Sequence, residues 1–167
     1  MYIEDVRQEY ICRLVNHYGY ELEQMEQELQ VNNSHRGQGK ARADIVIWKS
    51  ASSKNNEDAA TIVVECKAEH ISIREEDYFQ GYNYAAWAGA DFFVTTNLKE
   101  TRIFKVNKGK LPKRLEEIVD IPKADELTNA KKIKEYEKAL DNYREHSPQK
   151  NKERYQRELE QYYLDYQ

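Results

Sequence analysis

Between residues 4 and 18, Val6, Tyr10, Leu14 and Tyr18 recur at intervals of four, with Ile11 and Val15 on the same stripe. That spacing predicts an amphipathic helix, ended near Gly19. Met25, Leu29 and Val31 partly alternate with polar residues and predict a half-buried strand. The polar stretch NNSHRGQGKAR at 32–42 carries two glycines and reads as a loop, and ADIVIWK as the next strand. SASSKNNEDAA then reads as a turn into TIVVECK, whose run Thr61, Ile62, Val63, Val64 is β-branched throughout. Such a run suits a strand buried on both faces. From 74 to 89 the positions Tyr78, Phe79, Tyr82, Ala85, Ala86 and Ala88 follow helical spacing, with Gly89 as a C-cap. DFFVTTN and TRIFKV close the series as a hairpin or as neighbouring edge strands.

The order helix, strand, strand, strand, helix, strand, strand predicts an α/β fold with a mixed sheet flanked by helices. Beyond Pro112 the pattern changes. The segment is rich in charge of both signs, with Ile133, Tyr136, Leu140 and Tyr143 at spacings of three and four. Ser147 and Pro148 make an N-cap and a first helical proline, after which Tyr155, Leu159, Tyr162 and Tyr166 form a second stripe. The expected organisation is a domain over 1–111 and a charged helical extension over 112–167, a hairpin or a linker.

Composition narrows the partners. The net charge is −4 and the pI about 5.7, so any contact with nucleic acid must come from a local patch. Cys12 and Cys66 are the only cysteines and lack metal-ligand spacing. The start MYIEDVRQEY has neither a basic n-region nor an apolar h-region, and no run approaches the length of a membrane span. A soluble protein of the reducing cytoplasm is expected. His17, His35, His70 and His146 are scattered, which argues against zinc. GQG at 37–39 lacks the ending of a phosphate-binding P-loop, so no ATP site is expected in this chain.

The chemistry gathers at TIVVECKAEH. Glu65 and Lys67 stand on one side of an extended chain, at the end of the apolar run. Asp44 opens the preceding strand, so in a hairpin of the two strands it lies opposite Glu65. Two carboxylates held together repel unless one is protonated or a cation lies between them. Magnesium suits such a place, because it takes oxygen ligands and needs only one or two carboxylates beside a phosphate. Lys67 could then orient a water or stabilise charge on a phosphate oxygen.

Asp44 followed by Glu65-Cys66-Lys67 resembles the PD-(D/E)xK nuclease core. With VRQEYICRLVNHYGY at 6–20, ARADIVIW at 41–48, VVECKAE at 63–69 and FQGYNYA at 79–85, the chain resembles the N-terminal nuclease domain of type I restriction enzyme R subunits from about Val6 to Val106. Gln80 and Tyr84 match the QxxxY motif of those subunits and of RecB-like nucleases; Ala43 stands where the family name has proline. The resemblance implies a restriction-endonuclease-like fold and a Mg²⁺-dependent endodeoxyribonuclease, with Mn²⁺ able to substitute. Asp44 and Glu65 would be metal ligands with the Cys66 backbone carbonyl, and Lys67 would be catalytic. Gln80 and Tyr84 would support the site or contact DNA, and Glu9 could add a carboxylate. Double-stranded DNA and the modification and specificity subunits are the implied partners, and ATP belongs to a translocase whose motifs this chain lacks.

Arg36, Lys40 and Arg42, just before Asp44, could grip phosphates without reading bases. The plainer alternatives are a solvated loop for these three, a helical ion pair for Glu9 and Arg13, and a core position for Tyr84. Two other functions fit less of the pattern: a non-catalytic scaffold or DNA-docking module that keeps the fold, and a stand-alone RecB-like defence or repair nuclease.

Overall fold

A computed structural model describes residues 2–30, 42–74, 89–107 and 114–146. Helix α1, Ile3–Asn16, buries Val6, Tyr10, Ile11 and Leu14. It unwinds where the His17 and Tyr18 N–H groups both donate to the Arg13 carbonyl, at 2.9 and 3.2 Å. Gly19 then takes a left-handed φ of 78°, which lets the Tyr20 N–H return to the Leu14 carbonyl at 3.0 Å.

Six strands follow: β1 Met25–Gln30, β2 Arg42–Ile47, β3 Ile62–Cys66, β4 Phe92–Thr96, β5 Thr101–Asn107 and β6 Arg114–Ile118. They form one mixed sheet in chain order, parallel at β3–β4 and antiparallel at the other four ladders. The alternation along each strand divides the core. Ile45, Ile47, Ile62, Val64, Cys66, Phe92 and Val94 cluster with Val6, Tyr10 and Leu14 of α1. Val46, Val63, Phe93 and Phe104 are buried from the other face, Phe93 and Phe104 stacked at 4.8 Å. Burying each such side chain contributes roughly 1.5–3 kcal/mol. The strand expected at TIVVECK is thus buried along its whole length, on both faces.

Two stretches differ from the sequence expectation. SASSKNNEDAA contains a short helix, α2, Ala51–Asn55, started by the Ser50 hydroxyl accepting the Ser53 N–H at 3.0 Å. The second is β6, which lies beyond Pro112 and pairs with β5, so the sheet runs past the point where the helical extension was expected to begin. Its charged residues suit an edge strand, and Glu117 pairs with Arg102 of β5.

After β6 come α3, Asp125–Thr128, and α4, Ala130–His146. The Tyr20 hydroxyl donates to the Pro122 carbonyl at 2.6 Å and that of Tyr136 to the Asp120 carbonyl at 2.8 Å. Leu140 is 3% exposed, and Tyr136 meets Phe92 edge-on at 6.3 Å. The first part of the extension is therefore packed onto the sheet and its α1 layer. Its expected second helix, from Pro148, lies outside the described residues, as does nearly all of the expected helix at 74–89. Among the described residues no helix is long and apolar enough to cross a membrane. The architecture is the expected α/β one, a mixed sheet with flanking helices and a helical C-terminal part.

Candidate active site

Antiparallel pairing aligns Ile45 with Val64, and continuing that register by one residue sets Asp44 opposite Glu65. Both residues lie where the β2–β3 ladder ends. The Cys66 N–H, which would otherwise seek a ladder partner, donates to Asp44 Oδ2 at 2.7 Å. That bond holds the β2 carboxylate against the backbone of β3, one residue past Glu65. Glu65 is only 6% exposed, and its Oε1 is buried with no hydrogen-bond partner among the described residues.

Burial, and then the Asp44 charge, push the Glu65 carboxyl well above the ordinary carboxylate range. Burial raises Asp44 as well, opposed by the Cys66 N–H, by Arg7, by a hydrogen bond with Glu65 and by Lys67. Both carboxyl groups of the pair are pushed up, Glu65, the more deeply buried, the further. Two neighbouring carboxyl groups in a buried place disfavour each other's ionised form. Burial and the two carboxylates also push the Cys66 thiol up, and its side chain packs in the α1-facing core.

Lys67 is half-buried just beyond β3, close enough for its charge to act on Asp44 and Glu65, and its N–H donates to the Thr96 carbonyl at 2.8 Å. Glu9 is not brought to the pair. The face of α1 that carries Val6, Tyr10 and Leu14 packs inward, leaving Glu9 exposed and 4.0 Å from Arg13. Among the described residues no three of His, Cys, Asp and Glu gather closely enough to hold an ion. Arg42 is in β2, but its side chain is outside the described set; Arg36, Lys40, Gln80 and Tyr84 are outside it altogether.

One residue escaped the sequence reading. Arg7 of α1 is 7% exposed, paired with Glu4 and with Glu28 of β1, and close enough to Asp44 to favour its ionised form. Glu28 lies at the β1 position facing Asp44 in the β1–β2 register and has a left-handed φ of 55°. A non-glycine residue in that conformation is strained, and such strain collects at functional sites. A faint signal was available: Arg7 directly follows Val6, the first residue of the buried stripe.

Residues 3–122, most of the chain, match the family described as type I restriction enzyme R protein N terminus. The chain belongs to that family. No curated protein and no solved structure matches it. The match to the R protein N terminus runs through β6 and the Asp120–Pro122 segment that receives the Tyr18 and Tyr20 hydroxyls.

Magnesium, the cation implied by the sequence resemblance, takes hard oxygen ligands, and the donor set fits it. Two adjacent carboxyl groups, one with a buried oxygen lacking a partner among the described residues, offer hard oxygen ligands, and no described imidazole or thiolate joins them. That composition selects Mg²⁺ or Mn²⁺ over zinc.

Proposed function

We propose that this chain is the nuclease module of a type I restriction R subunit, a Mg²⁺-dependent endodeoxyribonuclease acting on double-stranded DNA. The observation that carries the reading is the buried, partnerless Glu65 Oε1 beside an Asp44 carboxylate held by the Cys66 N–H. A scaffold gains nothing from two carboxyl groups forced together in a dry site. That arrangement is unfavourable until a cation joins them.

Asp44 and Glu65 would hold the ion, with the Cys66 carbonyl as a further oxygen. When bound, magnesium supplies Lewis acidity at a phosphate oxygen and eases deprotonation of water. Lys67 presents an ammonium on the side of Glu65, placed to orient the attacking water or to stabilise charge on the phosphate. Arg7 favours the charged form of Asp44 from the α1 side. Arg36, Lys40 and Arg42 would grip the DNA backbone, with Gln80 and Tyr84 supporting the site. Modification and specificity subunits complete the assembly in the cytoplasm, and ATP use belongs to a translocase domain.

The test is calorimetric titration of Mn²⁺ into the wild type and Asp44→Ala, with and without a short DNA duplex. Binding that the variant loses supports the reading. Absence of binding in both, with DNA present, overturns it in favour of a scaffold.

A further inference from the structure

Glu65 does not stand alone on its row of the sheet. The parallel register aligns Glu65 with Thr95, and the antiparallel register aligns Thr95 with Arg102. Aligned residues on neighbouring strands project to the same face. One row of side chains therefore crosses three ladders, in the order Asp44, Glu65, Thr95, Arg102. Arg102 ends it in ion pairs with Glu117 and Glu100.

Thr95 is 0% exposed, and its hydroxyl is buried with no hydrogen-bond partner among the described residues. Its neighbour Thr96 is equally buried and uses its hydroxyl fully, meeting Thr101 Oγ1 at 2.7 Å and accepting the Leu98 N–H at 3.0 Å. Strand propensity does not account for the hydroxyl at 95. Valine has the same branched shape and would fill the place without desolvating a polar atom. Buried hydroxyls almost always find partners. Here a partnerless hydroxyl and a partnerless carboxylate oxygen occupy adjacent positions of one row, beside Asp44.

We infer that Thr95 is a positioning residue of the cation site, its hydroxyl supplying a hydrogen bond to a water in the coordination shell of the ion that Asp44 and Glu65 hold. The inference rests on the proposed magnesium site. A hydroxyl can both donate and accept, so it can bond a water in whichever orientation the ion imposes. Partners of this outer kind typically alter metal affinity 10- to 100-fold when removed.

The experiment compares wild type, Thr95→Val, Thr95→Ser and Asp44→Ala by Mn²⁺ calorimetry and by melting with EDTA or excess Mn²⁺. In EDTA, Thr95→Val should melt higher, by roughly 2–4 °C, since a partnerless hydroxyl is gone. Its Mn²⁺ affinity should fall about tenfold or more, with a smaller Mn²⁺-induced rise in Tm. Thr95→Ser, which keeps the hydroxyl, should bind Mn²⁺ within about threefold of wild type, well inside the range expected for losing an outer partner. Wild-type affinity in Thr95→Val overturns the inference while leaving the Asp44 and Glu65 site intact. A lower melting point for Thr95→Val in EDTA also overturns it, because the hydroxyl is then structural. No Mn²⁺ binding by the wild type removes the proposed site and this inference with it. Should Thr95→Val fail to fold, the same affinity comparison between Thr95→Ser and Thr95→Ala decides the matter.

Discussion

Arg7 of α1 and Glu28 of β1 form a 3.0 Å ion pair at the sheet margin, and Glu28 is the β1 residue facing Asp44. The pair links the first helix to the strained position beside the site. Arg7→Met should therefore do two things. Loss of the buried guanidinium and its two carboxylate partners should lower stability by roughly 1–3 kcal/mol, read by urea unfolding. Asp44 would also lose a charge that favours its ionised form, so Mn²⁺ affinity should fall, with Arg7→Lys intermediate. Unchanged Mn²⁺ affinity in a folded Arg7→Met would confine Arg7 to a structural role.

The raised Glu65 carboxyl makes stability depend on pH. A folded-state value above the ordinary 4.5 means that the native protein keeps a proton the unfolded chain has released. That contribution is complete below the unfolded value and is lost as pH rises through it towards the folded value. In EDTA the melting temperature should fall between pH 5 and 8, and Glu65→Gln should flatten the slope and melt higher at pH 8. Divalent affinity of the wild type should rise over the same interval, because the ligand must release its proton. A melting temperature in EDTA that climbs from pH 5 to 8 would contradict this.

Lys67→Ala separates chemistry from fold. The side chain is half-buried, and the main-chain N–H at this position, which the substitution keeps, donates to the Thr96 carbonyl. Its removal should leave the melting temperature nearly unchanged while reducing DNA cleavage by the assembled enzyme by about 10² or more. Cleavage at the wild-type rate would remove Lys67 from the mechanism.

Leu140 tests whether α4 is part of the domain. Leu140→Ala should cost about 2–5 kcal/mol, visible in chemical denaturation, because the side chain is 3% exposed in the shared core. A change below about 0.5 kcal/mol, the range for surface positions, would show α4 to be a loosely attached extension.

Much of this was legible in the sequence. The β-branched run at 61–64 marked an inner strand buried on both faces, and the strand order set Asp44 opposite Glu65. β6 was not legible, because RLEEI offers no alternation and its pairing depends on β5 alone. Arg7 was missed because a charged residue on an amphipathic helix ordinarily faces water, and the groups that draw it inward, Glu28 and Asp44, are distant in sequence. The solitude of the Thr95 hydroxyl is a property of packing, invisible until the strands are aligned.

The β2–β3 alignment has a further consequence. Ile45 and Ile47 face one way and Val46 the other, and Ile62, Val63 and Val64 are buried on both faces. A slip of one residue would exchange aliphatic side chains for aliphatic side chains, so hydrophobicity alone scarcely distinguishes the two alignments. Asp44 does distinguish them, because a slip would turn its carboxylate into the α1-facing core and forfeit the Cys66 N–H. The residues least comfortable in the finished fold thus tell its two inner strands which pairing is correct, and an apolar pair at 44 and 65 would yield a firmer sheet with a less certain address.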